Sequence, residues 1–324
     1  MPADVVVVGS YNQDYVWRVE RAPDAGETLR GHGFRSAVGG KGFNQAVACA
    51  RQGVATRFVG AIGSDAGGEA AQRIARSEGL DAHWLVRDDD ATGSACILVE
   101  GSGQNRIVVA LGANERLDPA FLRMRAPLFA DARVVLAQLE NNLDATRTAL
   151  ELAAAHGALR VLNPAPVHPD LDAALLARCD IVTPNETEFA LLLERVAGVR
   201  VDADSLAMHG DAELHAHARR LGAATVVVTL GKSGCFVSHA ADNRRGDDAA
   251  FYRLDPEAVY AIDATGAGDA FSGALAAALV RLAEDPFRAA ATHANRCAAM
   301  STETVGTLPA MPRFEDVRKR FEAA

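Results

Sequence analysis

A chain of 324 residues, 49% of them hydrophobic, can bury a large core as one big domain or one domain with an appendage, which excludes disorder as its resting state. The net charge of −9 is spread along the chain without a basic stripe, which excludes nucleic acid as a partner. Five dispersed cysteines, Cys49, Cys96, Cys179, Cys235 and Cys297, show no C-x-x-C spacing and read as buried thiols of a reducing compartment. The start MPADVVVVGS lacks the regions of a signal peptide and no apolar run approaches the ~18 residues of a membrane span, so a cytoplasmic protein with no membrane partner is expected.

In chain order, Val5 to Val8 is a β-branched run ending at Gly9, the first of several that suit strands buried on both faces. Tyr11 to Val38 contains no convincing helix. Helix periodicity follows at Asn44 to Gln52 and Gly67 to Ser77. Gly93 to Ala110 then carries two strand-like runs, SACILVE and RIVVAL, around the turn GSGQN. Beyond it, strand runs at Val134 to Leu139, Arg160 to Leu162, Asp180 to Thr183 and Thr225 to Leu230 alternate with helical segments at Ala145 to His156, Glu186 to Leu193 and Ala212 to Leu221, and Ala270 to Leu282 reads as a further helix. This rhythm predicts right-handed βαβ units, a mainly parallel sheet and helices on both faces. The two breaks in it predict a small antiparallel sheet inserted into the α/β body as a lid or a peripheral hairpin. The polar stretches Val201 to Asp211 and Ala240 to Ala250 read as surface loops.

Three groups of residues carry candidate chemistry. Thr265-Gly266-Ala267-Gly268-Asp269 precedes an apolar helix, so unpaired backbone N–H groups at the helix start offer an anion site and Asp269 a general base; Asp269 as a plain N-cap explains the same letters. Pro184-Asn185-Glu186-Thr187-Glu188 follows the strand DIVT, where an amide and a carboxylate suit a hydrated Mg²⁺, or where Asn185 and Glu188 form a capping box. Asn12 and Asp14 after the first strand, with Gly39-Gly40-Lys41-Gly42-Phe43-Asn44 and the strand-end Glu140, offer donors, acceptors and close backbone approach to a polyhydroxylated ligand. Gly39 to Gly42 and Gly231 to Ser233 do not complete G-x-x-x-x-G-K-[ST], and Gly266 does not open G-x-G-x-x-G, so P-loop and dinucleotide chemistry lose their support.

Taken in order, GSYNQD, GGKGFNQA, LAQLE, NPAP, TPNETE, VTLGKSG and DATGAGDAFSGAL make the chain resemble the ribokinase family, the PfkB-type sugar and nucleoside kinases, over essentially its whole length. The resemblance implies a three-layer α/β/α body (1–10, 42–92 and 111–324) and a β-sheet lid (11–41 and 93–110) that pairs two subunits into a homodimer. It also implies ATP-dependent phosphorylation of a sugar's primary hydroxyl, with D-ribose the leading substrate. Asp269 matches the family's base, and Gly266, Ala267 and Gly268 its anion hole. Asn12, Asp14, Gly39, Gly40, Lys41, Asn44 and Glu140 match sugar-contacting positions. Asn185 and Glu188 match the motif that organises Mg²⁺ through water. Thr229, Gly231, Lys232, Gly234 and Asn295 match the ATP side. For a monovalent cation, usually K⁺, the matching positions are Asp263, Thr265, Ser301, Thr304, Gly306 and Ala310.

Two departures are expected to matter. At the pocket, Phe43 stands where the family carries a small residue and Asn141-Asn142 follows Glu140 where Ser-Pro is common, which predicts a narrower or differently lined pocket, and Phe43 keeps open a nucleoside, deoxyribose or other furanose as substrate. His209, His215 and His217 lie in an acidic stretch without thiolates or ordered ligand spacing and read as a solvated insert rather than a metal site. A catalytically silent sugar-binding protein on this fold is the reading of another class.

Overall fold

The computed structural model describes residues 3–321. Strands β1 (Val5–Val8), β4 (Thr56–Gly63), β5 (Asp81–Arg87), β8 (Val134–Ala137), β9 (Leu159–Leu162), β10 (Ile181–Val182), β11 (Thr225–Thr229), β12 (Cys235–His239) and β13 (Phe251–Leu254) form one sheet, while β2 (Asn12–Arg18), β3 (Gly33–Gly39), β6 (Ser94–Val99) and β7 (Asn105–Ala110) form a second. The large sheet runs β13-β12-β11-β10-β9-β8-β1-β4-β5; its pairings are parallel from β11 to β5 and antiparallel at β11–β12 and β12–β13.

Alternation along β1 shows why the apolar runs are continuous. Val5 and Val7 enter the core formed with helices Lys41–Arg51, Ala267–Arg281 and Phe287–Ser301, whereas Val6 and Val8 enter the opposite core beside helix Leu143–Ala155. Both faces are covered, so neither tolerates a polar alternation. Among the described residues no helix is long and apolar enough to cross a membrane.

Not every strand of the large sheet is a uniform apolar run. In β4 the sequence TRFVGAIG is interrupted by Arg57, yet all eight residues are buried, because Asp81 of β5 accepts from the Arg57 guanidinium at 2.8 Å. In β5 the short apolar run Trp84 to Val86 is flanked by His83 and Arg87 and only partly buried, and β12 and β13 form the antiparallel edge.

The second sheet is mixed rather than antiparallel. Strands β2 and β3 pair antiparallel, as do β6 and β7, but β2 and β6 run parallel. Both leave the body at one place, where the Gln13 N–H donates to the Gly93 carbonyl, so the two hairpins lie side by side pointing the same way. In β6, Ile97, Leu98 and Val99 are all half-buried, and β7 is exposed throughout. Cys96 is likewise exposed, and the other four thiols are buried as expected. Residues 201–211 are more ordered than a loop: Ala203–Met208 is a 3₁₀ helix whose Leu206 is buried, and Asp211 opens the next helix.

Candidate active site

The strands β1, β8, β9, β10 and β11 end at one edge, where α/β sheets present ligand-binding groups. Above that edge helix Ala267–Arg281 begins. Gly266 is its cap, in the left-handed region at φ 81°, a conformation glycine adopts without penalty. Asp269 therefore sits inside the first turn and is not the cap. Its carboxylate accepts from Asn44 Nδ2 at 3.0 Å and from Gln45 Nε2 at 2.9 Å, both on helix Lys41–Arg51. Of the three expected anion-hole amides, Ala267 N–H donates to the Ala264 carbonyl at 3.2 Å, whereas those of Gly266 and Gly268 meet no acceptor among the described residues. A side chain at Gly268 would enter open space.

Lys41, Asn185, Glu188, Thr229, Gly268 and Asp269 line one cavity at this edge. Burial pushes the Asp269 carboxyl above its ordinary range, against the opposing pull of Lys41 and the bonds from Gln45 and Asn44. Burial alone would lower the Lys41 ammonium, but Asp269, Glu140 and Glu188 outweigh it and raise the lysine instead. A buried carboxylic acid with raised proton affinity facing a fixed cation is suited to take a proton from a neutral hydroxyl.

Asn185 and Glu188 form the capping box of helix Glu186–Ala197: Asn185 Oδ1 accepts from Glu188 N at 2.8 Å and Glu188 Oε2 from Asn185 N at 2.9 Å. The cap does not remove them from the cavity. Burial raises the Glu188 carboxyl, so a divalent cation arriving with its waters would relieve an unfavourable desolvated charge, and the donor set fits such an ion.

The expected sugar-side residues converge next to this cavity. Glu140 Oε2 accepts from Ser10 Oγ at 2.7 Å and from the Lys41 N–H at 2.9 Å, which joins the end of β8 to the Gly39-Gly40-Lys41 turn. Asp14 lies over Gly39 so closely that a Cβ there would stand 2.3 Å from Oδ1. Burial, with Glu140 nearby, pushes Asp14 up to about 7. Asn12 Oδ1 accepts from Asn114 Nδ2 at 2.9 Å, and Asn114 also bonds the Tyr11 backbone in both directions.

Asp263 gathers part of the expected cation site. Its Oδ1 accepts from Thr265 N at 2.9 Å and its Oδ2 from Gly306 N at 2.8 Å. Partial burial opposes its charge, yet these bonds hold the carboxyl below the usual range. The Ser301 hydroxyl points back to the Ala298 carbonyl at 2.7 Å, and the link from this turn to the loop comes instead from the Thr302 carbonyl, which accepts from Ile262 and Asp263. Thr304 and Ala310 border a neighbouring groove with Arg51.

On the expected ATP side, Thr229 pairs with Asn185 in an isolated bridge, and Gly231, Lys232 and Gly234 form the adjoining turn, outside the cavity. Asn295 is also outside it: its Nδ2 donates to the Asp255 carbonyl at 2.9 Å and holds the segment after β13. Phe43 is not in the pocket. It is fully buried on the far side of its helix, edge-on to Tyr11 at 5.2 Å and Phe58 at 5.5 Å and stacked with Trp84 at 6.2 Å.

Sequence reasoning missed a chain of buried amides behind Asp269. Gln45 Nε2 donates to Asn163 Oδ1 as well as to Asp269, and Gln45 Oε1 accepts from Gln138 Nε2 at 2.6 Å. All three amides lie inside the quoted motifs GGKGFNQA, LAQLE and NPAP, and the available signal is that an amide at the end of a buried strand must find partners.

The chain matches the model of the pfkB family carbohydrate kinases over residues 2–313. It is 36% identical to a ribokinase of Haemophilus influenzae across the full length of both chains. Its structure superposes on that of a ribokinase from Giardia lamblia with a TM-score of 0.86 at 29% identity, covering 100% of this chain and 99% of that one. A ribokinase of Arabidopsis thaliana, solved with ribose and ATP, superposes with a TM-score of 0.83 at 27% identity over 98% of each chain. With the buried acid, the helix-start amides and the sheet-edge cavity already in place, these likenesses establish that the chain belongs to the pfkB family of carbohydrate kinases and is an ATP-dependent sugar kinase.

Proposed function

We propose that the protein transfers the γ-phosphoryl group of ATP to the O5 hydroxyl of D-ribose. The observation that carries this reading is the Asp269 carboxylate, held by Asn44 and Gln45 in the cavity that Lys41 and Gly268 also line, beside the Asn12, Asp14 and Glu140 cluster. A free pentose offers a hydroxyl to each member of that cluster. Asp269 accepts the O5 proton as the O5–P bond forms and the bond from phosphorus to the bridging oxygen breaks, releasing ADP. The Gly266 and Gly268 N–H groups face the charge that spreads over the transferring oxygens, and Lys41 adds a fixed positive charge. Asn185 and Glu188 would hold Mg²⁺ through its waters, and the ion would supply charge neutralisation to the phosphates.

The finer assignments follow the same reading. The second sheet is the lid that excludes water from the transfer. Its exposed β7, with Val108 72% accessible, is the surface through which two subunits pair. Asp263, kept charged by Thr265 and Gly306, anchors a monovalent cation beside the helix start. A nucleoside substrate loses its support because Phe43, the residue that would stack on a base, lies in the core. The test is turnover of ribose, 2-deoxyribose, other pentoses, hexoses and nucleosides in a coupled ADP-release assay, with and without K⁺. D-ribose is expected to lead in kcat/KM; a nucleoside or deoxyribose ahead by orders of magnitude would replace it.

A further inference from the structure

His209, in the turn before helix Asp211–Arg219, comes together with Glu213 in the first turn of that helix and His217 in its last. Glu213 and His217, four residues apart, share one face of the helix and the turn before it brings His209 alongside, which supplies the ligand order the three histidines lack when read as His209, His215 and His217. His215 belongs to a different contact: its Nδ1 bonds Ser238 Oγ at 2.8 Å and its ring stacks on Phe251.

We infer that His209, Glu213 and His217 form a binding site for a borderline transition-metal ion such as Zn²⁺, separate from the sugar and nucleotide sites. One ligand atom from each residue lies within 4.8 Å of the other two. His209 Nδ1 is 3.2 Å and His217 Nε2 3.8 Å from Glu213 Oε1. Bonds of 2.0–2.1 Å in a tetrahedral zinc site separate neighbouring ligand atoms by about 3.3–3.4 Å, so the trio needs only small rotamer adjustments to close on an ion. The second observation is unmet bonding. The buried Nδ1 of His209, the nitrogen that faces Glu213, has no hydrogen-bond partner among the described residues, an uncommon condition for a buried polar atom. At His209 the other ring nitrogen already meets Ser205 Oγ at 3.3 Å, the outer contact that orients a metal-bound imidazole.

Two imidazoles and one carboxylate favour Zn²⁺, Co²⁺ or Ni²⁺ over Mg²⁺ or Ca²⁺, which prefer all-oxygen shells. The backbone frame is firm. Arg253 of β13 donates to the carbonyls of Ala207 and His209 and pairs with Asp211 at 2.6 Å. Glu213 is half exposed, so an ion has access and a fourth position is open to water.

The test uses the full-length, tag-free protein, stripped with chelator and held in excess Mg²⁺. Zn²⁺ binding is measured by competition with a chromophoric chelator, and Co²⁺ binding by its visible ligand-field bands. One tight equivalent per chain is expected, weakened about 100-fold or lost in His217→Gln and in His209→Gln, with Mg²⁺-supported kinase turnover retained. Glu213→Gln, at a solvent-accessible position, serves as the variant least able to disturb folding and is expected to weaken binding as well. Equal affinity in wild type and all three variants, or no equivalent bound by the wild type under these conditions, would overturn the site.

Discussion

Replacing Asp269 with asparagine isolates the proton-accepting role from the fold. The carboxylate is 7% accessible and accepts one hydrogen bond from Asn44 and one from Gln45. An amide at 269 can keep its oxygen toward Gln45, whose own amide cannot turn because both ends are engaged, by Gln138 on one side and by Asn163 and residue 269 on the other. Its new NH₂ then faces Asn44. There the neighbour can adapt, because Asn44 Oδ1 is buried without a partner and a half-turn of that amide offers it as the acceptor. The variant also removes a buried acid whose charge is disfavoured by desolvation, so folding stability at neutral pH is expected to hold or rise. Loss of a positioned base costs roughly 10²–10⁴ in rate, or about 3–5 kcal/mol of transition-state stabilisation. The assay is steady-state ADP release at saturating ATP and sugar, paired with calorimetric sugar binding and thermal melting. Intact melting and sugar affinity with kcat reduced at least 100-fold is expected. A kcat within tenfold of wild type, in a folded variant, would refute the role of Asp269 as base.

Three further outcomes follow from the same contacts. Gln45→Leu leaves Asp269 and Asn163 each short of a donor, so the urea midpoint should fall by the equivalent of about 1–3 kcal/mol; because the lost bond had lowered the Asp269 pKa, the acid limb of the kcat profile should move to higher pH. Asp14, pushed up to about 7 in the fold from an ordinary 3.8, binds a proton in the native state over a range where the unfolded chain has lost it. Its contribution therefore lowers stability as pH rises from about 4 to 7, and the melting advantage of Asp14→Asn over wild type should grow across that window and level off above it. Asp263→Ala should abolish any difference between K⁺ and a bulky organic cation in turnover assays, with ribose affinity unchanged in the absence of K⁺.

The layered body was legible because strands buried on both faces must be apolar throughout, as β1 and β8 are. Strand β4 was hidden by Arg57, whose partner Asp81 lies on a different strand and is adjacent only after folding. The register of the second sheet was hidden for a similar reason, since the parallel pairing of β2 with β6 depends on where both leave the body. At the site, Lys41, Asn185, Glu188, Thr229, Gly266, Gly268 and Asp269 stand in short motifs and could be named in advance, whereas Asn163, Ala165, Thr183 and Ser272 line the same cavity and were not. Gln138 and Asn163 could not be ranked by pattern, because they matter through Gln45, which a helix brings to them only after folding. Phe43 shows the converse: its place beside the sugar-binding glycines suggested a pocket contact, and its ring turns instead into an aromatic core.

That placement of Phe43 divides one helical turn between two trades. Asn44 and Gln45 hold the reacting acid on one side, while the ring between Tyr11, Phe58 and Trp84 wedges the same turn against the body on the other. Truncating it to alanine would cost about 3–5 kcal/mol of folding free energy, the range for a buried aromatic. Laboratory evolution for heat resistance and for a new sugar would consequently draw on neighbouring letters without competing for them: position 43 governs how long the catalyst survives, and positions 44 and 45 govern what it does while it lasts.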